Sequence, residues 1–395
     1  MSAAAKGRGS KTRRAGAKPG KVVGVLGGGQ LGRMLGLAGI PLGLSFRFLD
    51  VVSDAPAEAV GDLVVGESFQ EAGALREFAR GVDVVTYEFE NVPAACVERL
   101  RTMGVGVEPN GEALATAQDR LLEKRLFERV GLRVPKYSAV DTQEELERAV
   151  EEIGLPCVLK TRRMGYDGKG QRVLRTGSDV GGAVAALTKG GHAKDGRAGQ
   201  IVEQFVKFDR EVSIIAVGGA SGEGAMYPLA ENRHENGILS TTRIPARSIS
   251  AAARQDAEKS VWRIVKTLGY VGVLAVEFFV KDGVFYANEM APRVHNSGHW
   301  TIEGAMTSQF ENHLRAILGW PLGSTAARGA CVMHNLVGVI PGMEEMLAVE
   351  GACVHLYGKS ARPGRKVGHV TCIGGDDSAV EAASRRMERI IKRAT

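Results

Sequence analysis

The stretch GVLGGGQLGRMLGLAG, residues 24–39, joins a β-prone run to a segment of helical character through three consecutive glycines. Its glycines at 27, 29 and 32 form the pattern G-x-G-x-x-G, and Asp50 ends the next apolar run. Such glycines let a backbone approach a phosphate, helix N-terminal amides bind it, and an acid at this spacing can hold a ribose. The pattern therefore fits a dinucleotide site, and it also fits a tight strand-to-helix turn that needs only small residues.

Strand and helix patterns alternate from residue 21 to about residue 108, with further strands predicted at 44–49 and 82–90. This order predicts an α/β fold with a largely parallel sheet. Ligands of open sheets lie beyond the carboxyl ends of the strands, so the turn at 28–30 and the segment 88–90 are expected beside one crevice.

The net charge of +6 for 395 residues is confined to the first 20 residues, which hold six Lys and Arg and no acid. We expect this tail to be disordered, and its composition also suits an organellar transit peptide. No run approaches 18 apolar residues, and the five cysteines form no C-x-x-C. These features predict a reduced, cytoplasmic protein without membrane or nucleic-acid partners.

Domain boundaries follow from breaks in the pattern. AQDRLLEKRLFERVGLRVP, residues 117–135, predicts one helix that stops at Gly131. A strand-like CVMHNLVGVI at 331–340 follows a polar break. The predicted parts are a tail at 1–20, an α/β domain at 21–117, a second domain at 118–324 and a β-rich domain at 325–395.

A second glycine-rich stretch, LPCVLKTRRMGYDGKGQRVL at 155–174, predicts a strand, a loop with Gly165, Gly168 and Gly170, and a return strand. Such a flap can cover nucleotide phosphates with backbone amides while Lys160 neutralises their charge. A plain hairpin of the same composition is the alternative.

The segment IVEQFVKFDREVSIIAVG at 201–218 predicts two strands joined by a polar turn, the second starting at Glu211. Its connection can offer backbone groups to an adenine edge, while Glu211 accepts hydrogen bonds from ribose hydroxyls. An ordinary solvated acid before a strand is the alternative.

Two carboxylates stand inside the apolar strands GVLAVEFFV and VFYANEM, which flank a predicted three-residue hairpin loop at 281–283. Counting back from the loop puts Glu277 opposite Ala287 and makes Glu289 its diagonal neighbour, about 7 Å away at Cβ. Asn288 falls on the other face by strict alternation. A cation between the acids would relieve their repulsion and desolvation, and oxygen ligands favour magnesium.

Two basic clusters follow. In APRVHNSGHW, residues 291–300, Arg293 can fork onto a small oxyanion and His295 can move a proton. In HLYGKSARPGRKVGHV, residues 355–370, a basic turn suits a phosphate monoester or is simply solvated. Its cations are Lys359, Arg362, Arg365 and Lys366.

The motifs GGGQLGRM, YEFENV, QDR, MGYDGKGQ, VEQFV, NEMAPRVHNSGHW and YGKSARPGRK occur in this order. In this order they closely resemble the 5-(carboxyamino)imidazole ribonucleotide synthases of the ATP-grasp superfamily, over about residues 21–375. The resemblance implies a mixed α/β and α+β fold, with a Rossmann-like preATP-grasp domain, an ATP-grasp domain and a small C-terminal β-rich domain. It implies a homodimer that carboxylates 5-aminoimidazole ribonucleotide with bicarbonate and ATP, via carboxyphosphate, in purine biosynthesis.

The resemblance also implies the site residues. Magnesium would lie at Glu277 and Glu289, and the catalytic residues would be Arg293, His295 and Asp167. The ATP site would comprise Arg120, Lys160, Gly165, Tyr166, Asp167, Gly168, Lys169, Gly170, Gln171, Glu203, Gln204, Phe205, Val206, Glu211, His234, Asn288 and Glu289. The ribonucleotide site would comprise Gln30, Leu31, Glu90, Tyr166, Asp167, Lys359, Arg365 and Lys366.

Three rival hypotheses remain at this point. A formate-dependent glycinamide ribonucleotide transformylase, another ATP-grasp ligase, shares the glycine turn and the terminal basic motif. A dinucleotide-dependent dehydrogenase would use the first glycine pattern with Asp50. A non-catalytic nucleotide-binding module would have little need of both carboxylates and Arg293.

Overall fold

A computed structural model of the chain describes residues 20–165, 170–187 and 199–395. The predicted disordered tail lies outside these ranges apart from its last residue, and so do four residues of the predicted flap: Tyr166, Asp167, Gly168 and Lys169. Among the described residues, no helix is both long enough and apolar enough to cross a bilayer.

The first body is a parallel sheet in the order β3-β2-β1-β4-β5 with helices packed on it. This confirms the predicted α/β class, and its apolar strands suit a sheet covered on both faces. Its elements are β1 (Val22–Leu26), α1 (Gln30–Gly39), β2 (Ser45–Asp50), β3 (Asp62–Val65), α2 (Ala72–Ala79), β4 (Val84–Tyr87), α3 (Ala94–Thr102), β5 (Gly106–Val107) and α4 (Gly111–Gln118).

The prediction that one helix begins at residue 117 is wrong about its first residue. Asp119 has an extended backbone, and its carboxylate accepts a hydrogen bond from the amide of Leu121. Asp119 is therefore the N-cap of a new helix, α5 (Arg120–Arg129), and residues 117 and 118 end α4.

The next lobe is an antiparallel sheet in the order β6-β9-β7-β8. Strands β7 and β8 form the walls of the predicted flap and pair from Cys157 with Leu174 up to Lys160 with Gln171. The elements of this lobe are β6 (Tyr137–Val140), α6 (Gln143–Ile153), β7 (Cys157–Thr161), β8 (Gln171–Leu174), α7 (Gly177–Val180), α8 (Ala183–Leu187) and β9 (Gln200–Gln204).

A long mixed segment completes the fold. Its elements are β10 (Arg210–Gly218), β11 (Gly224–Met226), β12 (Ala230–Glu235), β13 (Ile238–Ile244), α9 (Ala251–Thr267), β14 (Gly272–Lys281), β15 (Val284–Ala291), α10 (Thr301–Gly304), α11 (Gln309–Ile317), β16 (Cys331–Val337), α12 (Met343–Leu347), β17 (Ala352–Leu356), β18 (Lys366–Ile373) and α13 (Asp377–Ala394). Its strands form one ladder in the order β15-β14-β10-β12-β13-β16-β18-β17, with β11 on β10.

The C-terminal strands continue this ladder, because β13 pairs with β16 from Ile244 opposite Cys331 to Thr241 opposite His334. The strand predicted at 331–340 is β16, whereas the long terminal helix α13 was not predicted.

The parts share buried contacts. Leu31 and Met34 of α1 belong to the same buried apolar cluster as Phe310 and Leu314 of α11. The buried His313 ring joins β4 to β14, since Nε2 lies 2.8 Å from Thr86 Oγ1 and Nδ1 accepts from the Val273 amide. The first body is therefore packed against the large ladder, and residues of both line one cleft together with Arg120 and Glu123 of α5.

Candidate active site

The cleft between these parts has a volume of about 930 Å³. It brings together residues from widely separated motifs, as the predicted site requires. The predicted residues that line it are Gln30, Leu31, Glu90, Arg120, Gly165, Glu277, Glu289, Arg293, His295, Lys359, Arg365 and Lys366. The other predicted residues within the described ranges lie outside its lining: Lys160, Gly170, Gln171, Glu203, Gln204, Phe205, Val206, Glu211, His234 and Asn288.

The glycine turn before α1 binds a carboxylate of the chain itself. The amides of Gly29 and Gly32 donate to the two carboxylate oxygens of Glu88, at 2.6 and 2.8 Å. Asp50 accepts from the amide of Gly28 at 2.6 Å. A Cβ on Gly29 would lie 2.3 Å from Glu88 Oε1, so any side chain at this position would displace the carboxylate. The dinucleotide interpretation is wrong, because Glu88 occupies the place a pyrophosphate would take.

The two acidic strands pair in a different register from the predicted one. Lys281 pairs with Val284, so the loop has two residues, and Asp282 and Gly283 both adopt positive φ. A bulge at Asn288 then shifts the ladder, and Glu277 lies directly opposite Glu289. The acids are direct cross-strand neighbours, because the shorter turn and the bulge together change the count.

The bulge is held by two buried residues of α5. Lys124 Nζ donates to the carbonyl of Asn288 at 2.7 Å. On its other side, the amide of Met290 donates to Glu123 Oε1 at 2.6 Å. Because each contact fixes the backbone next to Glu289, the helix determines where that carboxylate lies.

The acid pair is strained electrostatically. Burial, followed by the charge of Glu289, raises the pKa of Glu277 to about 7. Arg120 donates to Glu289 at 3.1 Å and compensates part of this negative charge. A divalent cation would complete that compensation. Within residues 20–165, 170–187 and 199–395, no three acidic, imidazole or thiol side chains form a metal cluster, so a cation here would depend on other oxygen ligands.

A buried charge cluster lies beside the acids. Glu203 Oε2 is 3.0 Å from Lys160 Nζ and 3.3 Å from Lys124 Nζ, and the Lys124 side chain is 0% exposed. Burial alone would raise the pKa of Glu203, but the two ammonium groups outweigh it and lower the pKa to about 2. Each charge is therefore paired, as a buried charge must be.

The candidate ribose acid is also paired. Glu211 Oε2 lies 2.8 Å from His234 Nδ1. Burial opposes protonation of this ring, but the hydrogen bond to Glu211 raises the pKa of His234. Glu211 lies on β10, which pairs with β14, the strand that carries Glu277. His234 lies on β12, on the other side of β10.

Arg293 and His295 stand just beyond the acidic strands. Arg293 Nε donates to Glu90 Oε2 at 2.5 Å, which joins the ladder to the first sheet. His295 Nε2 lies 3.8 Å from Glu277 Oε1. Burial and the Arg293 charge hold the pKa of His295 well below its usual range, so the ring is neutral. The side-chain amide of Gln309 brackets the backbone of His295 from both sides.

The basic turn of the C-terminal part closes the cleft. Lys359 donates to Gln30 Oε1, which ties this turn to the start of α1. Burial lowers the pKa of Lys359, and Glu88 opposes the shift. Arg365 is held by Ser360, whose hydroxyl accepts at 2.9 Å. The turn therefore faces the glycine motif across the cleft.

Comparisons with known proteins agree with this geometry. Residues 20–118 match the ribonucleotide synthetase preATP-grasp domain, residues 125–310 the ATP-grasp domain, and residues 331–383 the phosphoribosylaminoimidazole carboxylase C-terminal domain. The N5-carboxyaminoimidazole ribonucleotide synthase of Pseudomonas aeruginosa is 48% identical over 370 residues, covering 94% of this chain and 99% of that protein.

The chain belongs to the N5-carboxyaminoimidazole ribonucleotide synthase family. The crystal structure of the synthetase from Thermus thermophilus is 53% identical, with a TM-score of 0.87 over 93% of this chain and 98% of that one. A synthase from Aspergillus clavatus, solved with ADP and 5-aminoimidazole ribonucleotide, is 32% identical, with a TM-score of 0.85 over 95% and 99% of the two chains. The resemblance read from the motifs, and the fold it implied, are confirmed.

Members of this synthase family are ATP-grasp ligases, and the chain is one of them.

Several residues that shape the site were not predicted from the sequence. Glu123 and Lys124 lie at helical spacing with the buried Phe127, so two charges on an apolar face were the available signal. Asp119 was signalled by its N-cap position, and it also pairs with Arg162 at 2.6 Å at the base of the flap. Glu88 was expected beside the glycine turn, at the end of its strand, but its hydrogen bonds from the amides of Gly29 and Gly32 were not predicted.

Proposed function

We propose that the chain catalyses the ATP-dependent carboxylation of 5-aminoimidazole ribonucleotide with bicarbonate, giving N5-carboxyaminoimidazole ribonucleotide, ADP and phosphate through carboxyphosphate. One observation carries the proposal: a single cleft holds the acid pair, Arg293, His295 and the basic turn together, beside the root of the glycine flap. Each ligand of the reaction has a chemically matched group in this arrangement.

The nucleotide is proposed to lie between the small antiparallel lobe and the large ladder. Two polar atoms support this assignment, because Glu203 Oε1 and Asn288 Oδ1 are buried without a hydrogen-bond partner among the described residues. Glu203 Oε1 suits the amino group of an adenine. Lys160 and Arg120 would face its phosphates, and Glu211 would accept from its ribose hydroxyls.

Magnesium fits the residues present. Glu277, Glu289 and Asn288 offer oxygen ligands only, and such donors prefer hard cations that keep water and phosphate oxygens as further ligands. When bound, the ion would neutralise charge on the phosphate oxygens. Arg120 would keep Glu289 oriented toward the ion.

Bicarbonate needs activation, because its carbon is a weak electrophile and hydroxide would be a poor leaving group from it. Transfer of the γ-phosphoryl group of ATP to bicarbonate gives carboxyphosphate and ADP. The amine then attacks the carboxyl carbon and displaces phosphate, or phosphate leaves first and the amine attacks the trapped carbon dioxide. In both routes the amine loses one proton as the new C–N bond forms. Arg293 is proposed to hold the carbonate oxygens, and positioning and electrostatic stabilisation would supply most of the rate.

The ribonucleotide is proposed to span the cleft from the acid pair to the basic turn. Lys359, Arg365 and Lys366 would hold its phosphate, with Gln30, Leu31 and Glu90 along its length. Tyr166 and Asp167, assigned to the imidazole by resemblance, lie outside the described residues.

The remaining assignments concern the whole protein. We place it in a reducing cytoplasm, supported by five cysteines that are all unpaired. We also propose a homodimer, which light scattering coupled to gel filtration tests by giving twice the 42.0 kDa chain mass.

Phosphate release, with each substrate omitted in turn, tests the proposed reaction. Release should require ATP, magnesium, bicarbonate and 5-aminoimidazole ribonucleotide together. Release driven by formate and glycinamide ribonucleotide would overturn the proposal in favour of the transformylase. Tight NADH binding without a response to ATP would overturn it in favour of a dehydrogenase.

A further inference from the structure

A buried row of hydrogen bonds crosses the ladder beneath His295. Thr242 Oγ1 donates to Asn232 Oδ1 at 3.0 Å, and Asn232 Nδ2 donates to Ser213 Oγ at 3.1 Å. Ser213 donates to Ser297 Oγ at 2.8 Å, and Ser297 Oγ lies 2.9 Å from His295 Nδ1. All four residues below the histidine are buried.

The row follows from the strand register. Asn232 and Thr242 are directly opposite each other on β12 and β13, and Ser213 is the diagonal neighbour of Asn232 on β10. The short 3-10 turn Asn296–Gly298 packs on this face and brings Ser297 down onto Ser213. The side chains therefore lie in one line across neighbouring strands.

The row has a direction. The Thr242 hydroxyl, the Asn232 side-chain amide and the Ser213 hydroxyl each donate to the next residue on the side of the histidine. Ser297 Oγ accepts from Ser213, so the hydroxyl proton of Ser297 is available to donate to His295 Nδ1. A second, independent contact agrees, because the backbone amide of Ser297 also donates to His295 Nδ1, at 3.3 Å. A backbone amide can only donate, so this contact and the row both favour a lone pair on Nδ1. The proton of the neutral ring then lies on Nε2, the nitrogen 3.8 Å from Glu277 at the cleft.

We propose that Ser297, Ser213 and Asn232 are positioning residues that hold His295 as the Nε2–H tautomer, so that it donates a hydrogen bond to a bicarbonate oxygen. The ligand in this statement rests on the proposed function, whereas the tautomer does not. A ring fixed in this way presents no lone pair to the cleft and cannot remove a proton from bicarbonate or from the amine at that nitrogen. His295 therefore orients the oxyanion together with Arg293.

Histidine-selective ¹⁵N NMR of the full chain at pH 8, without ligands, tests the tautomer. The chain has eight histidines, and the His295→Gln spectrum assigns the signals by their loss. We expect a protonated Nε2 and an unprotonated Nδ1 for His295. A protonated Nδ1 in the wild-type protein would overturn the proposal, whatever the outcome of the activity assays.

Asn232→Asp is the sharpest variant, because it nearly preserves shape but reverses the row. A carboxylate only accepts, so residue 232 would accept from Ser213, Ser213 would accept from Ser297, and Ser297 Oγ would be left to accept from His295 Nδ1. The reversed row would then favour a proton on Nδ1 over the long contact with the Ser297 amide, at 3.3 Å. We expect the Nδ1–H signal to appear and kcat/KM for bicarbonate to fall roughly tenfold, the size of one hydrogen bond. An unchanged tautomer in the folded variant would remove the proposed role of the row.

Ser297→Ala supplies a second variant should Asn232→Asp fail to fold. It keeps the backbone amide but loses the hydroxyl, so a mixture of tautomers is expected, with a smaller loss in kcat/KM for bicarbonate. Ser384→Ala is the matched control, since it removes a similar buried Ser–His contact, 2.9 Å from His334 Nε2. An equal loss of activity in Ser297→Ala and Ser384→Ala, with the ¹⁵N chemical shifts of the His295 ring unchanged in both variants, would refute a positioning role for Ser297.

Discussion

Glu289 belongs to both the proposed magnesium site and the proposed ATP site. It lies opposite Glu277, pairs with Arg120 and follows the bulge at Asn288. Glutamine keeps the shape of this side chain and removes its charge, so a Glu289→Gln change separates the role of Glu289 as a metal ligand from its role in packing.

Glu289→Gln should abolish ADP formation while preserving the fold, because it removes a charged ligand without changing shape. Glu235→Gln, on an exposed part of the same ladder, is the matched control and should keep wild-type turnover. The measurement is coupled ADP release, with circular dichroism to verify folding. Near-normal turnover of the Glu289 variant would refute the metal assignment.

Glu108 offers a test of stability away from the cleft lining. Burial raises the pKa of Glu108 to about 7, and its Oε2 atom has no partner among the described residues. A raised carboxyl pKa means that the unfolded chain releases its proton first, so folding stability falls as pH rises from about 4.5 to 7.

Glu108→Gln should therefore stabilise the protein by about 2 kcal/mol at pH 8 and by less than about 1 kcal/mol at pH 5. Urea denaturation at the two pH values measures this difference. Glu98→Gln, on an exposed side chain, should change stability little at either pH. A gain that is larger at pH 5 than at pH 8 would contradict the buried-charge explanation.

Among the elements, the bulged strand β15 decides the geometry of the acids, and α5 holds it. Lys124 is the key contact because it binds both Glu203 and the Asn288 carbonyl. Without the Lys124 ammonium group, the buried Glu203 carboxylate loses one of its two lysine partners, and the carbonyl of Asn288 at the bulge loses its hydrogen-bond donor.

Lys124→Met, which keeps the length of the side chain, should cost about 3–5 kcal/mol of unfolding free energy, the range for breaking a buried pair. Where the variant folds, its KM for ATP should also rise, because Glu289 is released. Lys259→Met on an exposed helix face provides the control and should change stability by less than about 0.5 kcal/mol. Equal stability of the two variants would show that the buried contact is unimportant.

The elements also show how far a sequence can be read. The parallel first sheet and the flap strands follow from alternation and glycine spacing, both of which are local signals. The register of β14 and β15 does not, because a two-residue turn and a bulge each shift the count by one. The break at Asp119 likewise depends on the contacts of its carboxylate.

The site residues divide in the same way. Glu277, Arg293 and Lys359 were visible as charges in or after apolar runs, and the cleft brings them together. The order of the strands placed Glu88 near the glycine turn, but not its hydrogen bond with Gly29, 59 residues away in sequence. Ser213 acts through Ser297, 84 residues away, so no local pattern could reveal it.

For the whole molecule, the C-terminal part supplies one wall of a cleft whose other walls come from earlier domains. Lys359 reaches Gln30 of the first body. Lys359→Ala should therefore raise KM for the ribonucleotide about tenfold with little change in kcat, since a charged hydrogen bond contributes about 1.5–3 kcal/mol.

Initial rates at varied ribonucleotide concentration test this prediction. Lys392→Ala, an exposed position on α13, should leave KM unchanged. An unaltered KM for Lys359→Ala would place the phosphate elsewhere.

The continuous ladder has a consequence for the size of the ligand. In a flat sheet, the five steps from β14 to β18 would span roughly 24 Å. Glu277 on β14 and Lys366 on β18 nevertheless line one cleft, so the sheet curls around it. Backbone hydrogen bonds join the strands at every step, so the sheet holds the acids and the basic turn in place relative to each other. Under the proposed function, the sheet would therefore set the distance between the sites for the base and the phosphate of the ribonucleotide.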